Sequence, residues 1–149
     1  MDSVAKPRIK EVLPEAAWEI LERDPSAVLV DVRTKSEWAF VGVPDLSSLT
    51  SRLLQVEWAQ LPNMSRNPRF VGEVLEQLGD EIPQTFLFLC RSGVRSEAGA
   101  IAVLDHLTSL GQSAECVNIL GGFEGDLNEG GHRGHKNGWK VAGLPWRQS

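Results

Sequence analysis

The 149-residue chain predicts an α/β fold with a mostly parallel sheet covered by helices on both faces. Three observations carry that expectation. The runs "AVLVDVR", "QTFLFLC" and "SAECVNIL" are apolar without polar alternation, as strands buried on both faces are. Segments with apolar residues at helical spacing separate them. The length suits one domain that buries roughly 70% of the surface its unfolded chain exposes, and no linker or internal repeat divides residues 1–149.

In chain order, "IKEVLPEAAWEILERDPS" predicts a short strand and then a helix. Pro14 sits in its first turn, and Ala17, Trp18, Ile20 and Leu21 point inward. Asp24-Pro25-Ser26 ends it. The strand "AVLVDVR" closes at Asp31 and Arg33, "SEWAF" gives a helical turn, and Gly42 and Pro44 break regular structure. "SSLTSRLLQVEWAQL" is ambiguous. "NPRFVGEVLEQLG" predicts a helix capped by Asn67, with Pro68 at its first position. Phe70, Val71, Val74, Leu75 and Leu78 share one face, and Gly79 is the stop. After "QTFLFLC", "RSEAGAIAVLDHLTSLG" reads as a long helix with Ala98, Ile101, Ala102, Leu104 and Leu107 mostly inward and Gly111 at its end. The Gly-rich, charged stretch 124–138 reads as an exposed loop or short helical insert.

A composition of 42% hydrophobic and 23% charged residues excludes wholesale disorder, and a net charge of −5 argues against general nucleic-acid or anionic-membrane binding. The longest apolar runs, Ala27–Val30 and Phe86–Cys90, fall far short of the ~20 residues of a membrane helix, and Met1–Lys10 lacks a signal-peptide core. A cytoplasmic protein is the expectation. Two cysteines in such a chain are poor evidence for a disulfide framework, so each thiol is judged by its surroundings.

Cys90 stands where a strand ends and a helix begins, which is where open α/β sheets bind ligands. The linking residues Arg91, Ser92, Gly93, Val94 and Arg95 are small or cationic, and Gly93 permits the backbone angles of a tight loop. Amides of Arg91 to Ser96 converging at a helix N-terminus form an anion site, to which Arg91 and Arg95 add charge. Such a setting favours thiolate over thiol and makes a cysteine nucleophilic without a histidine. Cys116 lies mid-strand between Glu115 and Val117 and is expected to be structural.

At these residues the sequence resembles the rhodanese-like superfamily, specifically its single-domain sulfurtransferases. The resemblance spans nearly the whole chain and rests on "LVDVRTKSEW" (29–38), "CRSGVRS" (90–96) and "LGGFEG" with "GLPW". It implies a five-stranded parallel sheet and a cysteine that carries sulfane sulfur as a persulfide. Cys90 would take sulfur from thiosulfate or a persulfide and pass it to a thiol, cyanide or a protein acceptor. The resemblance makes Asp31 and Arg33 supports of the active-site loop, with an ion pair from Asp31 to a loop arginine as the expected means. It implies no metal or organic cofactor. Three departures stand out: Glu37 occupies the place of a second substrate-binding arginine of two-domain rhodaneses, which weakens thiosulfate as the physiological donor; "GVPD" lacks the usual histidine; and residues between Gly125 and Trp139 lengthen the C-terminal signature.

Phosphatase or arsenate-reductase chemistry on a related fold is a rival, since it also cradles a cysteine in amides. Those loops place arginine six positions after the cysteine, whereas here Arg95 is at five and Ser96 at six. One residue fewer gives a smaller cup, suited to a single sulfur. A sulfur-carrier or binding module without turnover is the other rival. His132 and His135 lack the third and fourth ligands of a zinc site, and His106 reads as a surface residue of the long helix.

Overall fold

The computed structural model describes residues 9–148; residues 1–8, part of the Met1–Lys10 stretch read above for a signal peptide, lie outside the described residues. In chain order the elements are β1 (Lys10–Val12), α1 (Pro14–Arg23), β2 (Val28–Asp31), α2 (Lys35–Phe40), β3 (Val43–Pro44), β4 (Arg52–Gln55), β5 (Ala59–Gln60), β6 (Ser65–Arg66), α3 (Phe70–Leu78), β7 (Thr85–Leu89), α4 (Val94–Ser109), β8 (Glu115–Ile119) and β9 (Trp146–Arg147). Five strands form a parallel sheet in the order β1-β8-β7-β2-β4. The short strands pair antiparallel, β3 with β9 and β5 with β6.

Strand periodicity explains the two cores. Along β7 successive side chains point to opposite faces, so Phe86 and Phe88 join one cluster and Leu87 and Leu89 the other. On the first face α3 contributes Phe70, Val74 and Leu78, and α4 contributes Ala100, Val103 and Leu107. On the second, α1 buries Ala17 and Leu21 with Phe123 and Trp139 from the C-terminal segment. Right-handed crossovers predict this division: the chain steps β1 to β2 to β4 in one direction across the sheet and β4 to β7 to β8 in the other. The connections therefore fall on opposite faces. The reversal makes β2 and β7 adjacent strands whose C-terminal loops lead away from each other, which is the crevice where such sheets place ligands.

Several sequence expectations need correction. The ambiguous segment supplies edge strand β4, where only Leu54 is fully buried, so its apolar signal is weak. Helix α3 begins at Phe70 with Arg69 as N-cap, not Asn67. The Asn67 Oδ1 instead accepts the Arg69 N–H at 3.0 Å while Nδ2 donates to Glu57 O and Glu73 Oε1, so Pro68 precedes the helix. The buried stripe of α4 is Ser96, Gly99, Ala100, Val103 and Leu107; Ala98, Ile101, Ala102 and Leu104 are only half-buried. Close approach rotates the helix: a Cβ on Gly99 would come within 3.1 Å of the Phe70 ring. Residues 126–138 form turns and no helix. Among the described residues no helix is long and apolar enough to cross a membrane.

Phe88 is fully buried at the sheet centre, so Phe88→Ala is expected to lower the unfolding free energy by about 3–5 kcal/mol in urea titrations.

Candidate active site

Cys90 is the first residue beyond β7 and is 1% exposed. The chain turns immediately because Gly93, the N-cap of α4, adopts φ +118°, a conformation that side-chain-bearing residues resist. That turn brings the Gly93 N–H to 3.0 Å from the Cys90 sulfur. The Ser96 hydroxyl, one helical turn on, lies 3.3 Å from the same sulfur. Of the loop residues 91–96 expected to line the sulfur site, Gly93 and Ser96 hydrogen-bond to the thiol among the described residues, and the Val94 side chain is turned to solvent, 79% exposed.

Behind the thiol lies a buried polar group. Ser96 Oγ is 2.5 Å from Asn118 Oδ1 and 3.1 Å from the Gly93 carbonyl. The Asn118 Nδ2 donates to the Gly93 carbonyl at 3.1 Å and faces Glu11 Oε2 of β1 at 3.4 Å. Asn118 sits on β8 with 1% exposure. Its signal in the sequence is a polar side chain in a strand buried on both faces, which needs partners there.

Asp31 and Arg33 are both 0% exposed and pair with each other, not with a loop arginine as expected. Two contacts join the side chains, Nε to Oδ1 at 2.9 Å and Nη2 to Oδ2 at 2.6 Å, and the Arg33 N–H also reaches Oδ1 at 3.1 Å. The i,i+2 spacing at a strand end makes this short closed geometry the nearest partner. Support reaches the loop by another route. The Arg33 guanidinium lies 4.2 Å from the centroid of the Phe123 ring, and the Phe123 N–H donates to the Cys90 carbonyl at 2.7 Å. Glu124 and Gly125 N–H groups hold the Arg91 carbonyl, each at 3.0 Å. At Gly122, φ +60°, a Cβ would collide with backbone atoms of Cys90 and Arg91, so the "GGFEG" turn requires glycine there.

Arg95 is engaged by Glu37 through Nη1–Oε1 at 2.8 Å and Nη2–Oε2 at 2.9 Å. Glu37 also completes a capping box with Thr34 at the start of α2. The pattern Thr34-x-x-Glu37 is the sequence signature of that box, so the glutamate that departs from the two-domain rhodanese arginine also has a local structural role. Burial pushes the Glu37 carboxyl up, but hydrogen bonds and charge from Arg95, the Thr34 N–H and the charge of Arg33 outweigh it and hold the group below the ordinary value. Arg91 is exposed and lines a cavity of about 600 Å³ that opens beside the loop. Glu37 and Val41 share its near wall, and Glu124, Leu127, His132, Arg133 and His135 of the C-terminal insert form the other. A larger cavity of about 720 Å³ lies at the opposite, N-terminal ends of β1, β7 and β8; the fold class favours the carboxyl ends.

Cys116 is buried in the core, and that burial together with the Glu115 charge pushes its thiol up to about 12. Among the described residues no cluster of three or more His, Cys, Asp or Glu could hold a metal ion.

No family model matches the chain. It is 34% identical over 139 residues to the uncharacterized protein RP600 homolog of Rickettsia rickettsii, covering 93% of this chain and 98% of that protein. Among solved structures, Rv0390 from M. tuberculosis is 46% identical over 96% of this chain and 100% of its own length, with a TM-score of 0.80. A thiosulfate sulfurtransferase from Pseudomonas aeruginosa shares the fold at 15% identity and a TM-score of 0.50, covering 97% of this chain and 20% of that one.

Two outcomes follow from this geometry. Arg33→Met leaves the Asp31 carboxylate buried without its partner and is expected to cost about 3–5 kcal/mol in chemical denaturation, with part of the loss recovered in Asp31→Leu/Arg33→Met. The lowered Glu37 carboxyl stabilises the fold fully above its unfolded value, near 4.3, and this contribution is lost as pH falls through the folded value. Glu37→Gln should therefore show a shallower decline in melting temperature between about pH 5 and 3 than the wild type.

Proposed function

We propose that this chain, which belongs to one family with Rv0390 and the rickettsial protein and has a rhodanese-like fold, is a sulfurtransferase that carries sulfur on Cys90. The observation that carries this reading is the Cys90 sulfur at a strand end, with the Gly93 N–H at 3.0 Å and the Ser96 hydroxyl at 3.3 Å, at the N-terminus of a 16-residue helix. The Gly93 N–H, a donor fixed before reaction, stabilises an anion on sulfur without reorganising during the step, and the Ser96 hydroxyl can turn its proton to the same atom. The partial positive charge of the helix N-terminus acts in the same sense.

In the first half-reaction the Cys90 thiolate attacks the outer sulfur of a donor such as thiosulfate. The new S–S bond forms as the old one breaks, and sulfite departs with the electron pair, leaving Cys90–S–S⁻. In the second, an acceptor nucleophile such as a thiolate or cyanide attacks the outer sulfur and the Cys90 thiolate leaves. The loop amides serve both anions, and the solvent-facing Arg91 offers a cation to the donor from the cavity beside the loop. Asp31 and Arg33 keep the loop in place through Phe123.

The reading supports sulfur chemistry over phosphoryl transfer because the loop is one residue shorter before its arginine and the Arg95 fork is occupied by Glu37, which removes it as a bidentate clamp for a tetrahedral oxyanion. A protein acceptor and a cytoplasmic setting are compatible with this chemistry.

Intact mass after thiosulfate treatment tests the proposal. Wild type and Cys116→Ser should gain one sulfur atom that a thiol reductant removes, and Cys90→Ser should gain none. Equal labelling of Cys90→Ser, or aryl phosphate turnover lost in that variant, would overturn the assignment. Multiple turnover with cyanide separates an enzyme from a carrier that only holds sulfur.

A further inference from the structure

We infer that Asn118 is a positioning residue that decides where the single Ser96 hydroxyl proton points, and thereby how strongly the Cys90 sulfur is stabilised as an anion; this rests on the reading of Cys90 as the nucleophile. Proton accounting carries the argument. A serine hydroxyl has one proton to donate. Around Ser96 Oγ stand three acceptors: Asn118 Oδ1 at 2.5 Å, the Gly93 carbonyl at 3.1 Å and Cys90 Sγ at 3.3 Å. The shortest contact goes to Asn118, so in the resting arrangement the proton lies on the asparagine oxygen and Ser96 presents a lone pair to the thiol.

When charge develops on sulfur, the proton has to swing to Sγ, and the bond to Asn118 is given up. Asn118 thus competes with the anion for the one hydroxyl proton that can reach it. Its other end has a second effect. The Nδ2 donates to the Gly93 carbonyl at 3.1 Å, and the N–H of that same glycine meets the sulfur at 3.0 Å. One side chain on β8 therefore orients the Gly93 and Ser96 groups that meet the thiol without itself hydrogen-bonding to sulfur. Glu11 of β1 accepts from Nδ2 at 3.4 Å, so a carboxylate at position 118 loses that contact and meets Glu11 as a like charge, whereas the neutral Asn118→Ser adds no charge there; Arg95, which acts on Cys90 by charge from the loop side, is not a partner of Asn118.

Asn118→Asp keeps the shape, strengthens the acceptor for the Ser96 proton and removes the donor to Gly93. It should slow Cys90 alkylation by iodoacetamide at pH 7.5 about tenfold, and lower the saturated rate of persulfide formation similarly, with the KM for thiosulfate within about twofold of wild type. Ser96→Ala alone should also slow alkylation. Added to Asn118→Asp it should cost nothing further, because the proton it removes no longer serves sulfur. Additive effects of the two substitutions, or Asn118→Asp alkylated within about twofold of wild type, would overturn the role of Asn118. Should Asn118→Asp lose its fold, Asn118→Ser, smaller and neutral, takes its place: there the Ser96→Ala effect should exceed that in wild type, and an effect equal to wild type overturns the inference. Failure of the sulfurtransferase reading is seen separately, as absence of the sulfur mass gain in wild type.

Discussion

The arrangement of this end of the molecule depends on one buried ion pair. Asp31 and Arg33 bring a carboxylate and a guanidinium into a region with no exposure, where either charge alone would be severely destabilising. Replacing such a pair with apolar residues often costs nothing in stability, so its value here is positional. The guanidinium is planar and its contacts are directional. One edge closes on Asp31, Nη2 also donates to the Gly42 carbonyl at 2.8 Å, and the central carbon lies 4.2 Å from the Phe123 ring centroid. Segments after α2 and after β8 are thereby referred to the end of β2, and the Phe123 N–H passes that reference to the Cys90 carbonyl.

This explains how a loop containing glycine can hold a reactive group accurately. Gly93 gains its unusual backbone conformation at the cost of conformational freedom in the unfolded chain. The loss is recovered by tying down everything around it. The Cys90 and Arg91 carbonyls receive N–H groups from Phe123, Glu124 and Gly125, and the Gly93 carbonyl receives Asn118. Helix α4 is fixed in turn by its Gly99 contact with α3. The thiol sits between a sheet and a helix, and the span between them, Cys90 to Gly93, is four residues long.

The sheet, its helices and the cysteine loop were legible because their signals are local: uninterrupted apolar strands, helical periodicity, and a cysteine followed by glycine at a strand end. What stayed hidden depends on contacts across the chain. The inward face of α4 follows Gly99 and Ala100 where bulk alone suggested Ile101 and Leu104, since the approach of α3 selects small residues. The partner of Arg95 is 58 residues away, and that of Ser96 is 22 away. Asp31 was expected to reach for a loop arginine when a closer one stood two residues along its own chain. Local capping patterns named Asn67 and overlooked Thr34 with Glu37, although the latter pair forms the reciprocal box.

On the proposed sulfur-transfer reading, chemistry and selectivity occupy different segments. Among the described residues the groups hydrogen-bonded to the Cys90 sulfur come from the loop backbone and from α4, and what steadies those groups comes from β8 and the end of β2. The cavity beside the loop is walled by Glu37 of α2 and by the insert, whose turns are closed by Asn137 on Asp126 and by the Gly134 N–H on the Glu124 carbonyl. Changes in the insert can reshape that wall without removing a donor to sulfur, because the insert meets the cysteine loop through backbone groups at Glu124 and Gly125, the latter also held by the Arg133 guanidinium. Glu37 is the exception. By holding Arg95 it removes a cation from the mouth of the site, so the charge offered to an approaching donor is set by a residue that also caps a helix. A substitution there would alter anion recognition and local stability together, which ties donor preference to the folding of α2 more closely than to the cysteine loop itself.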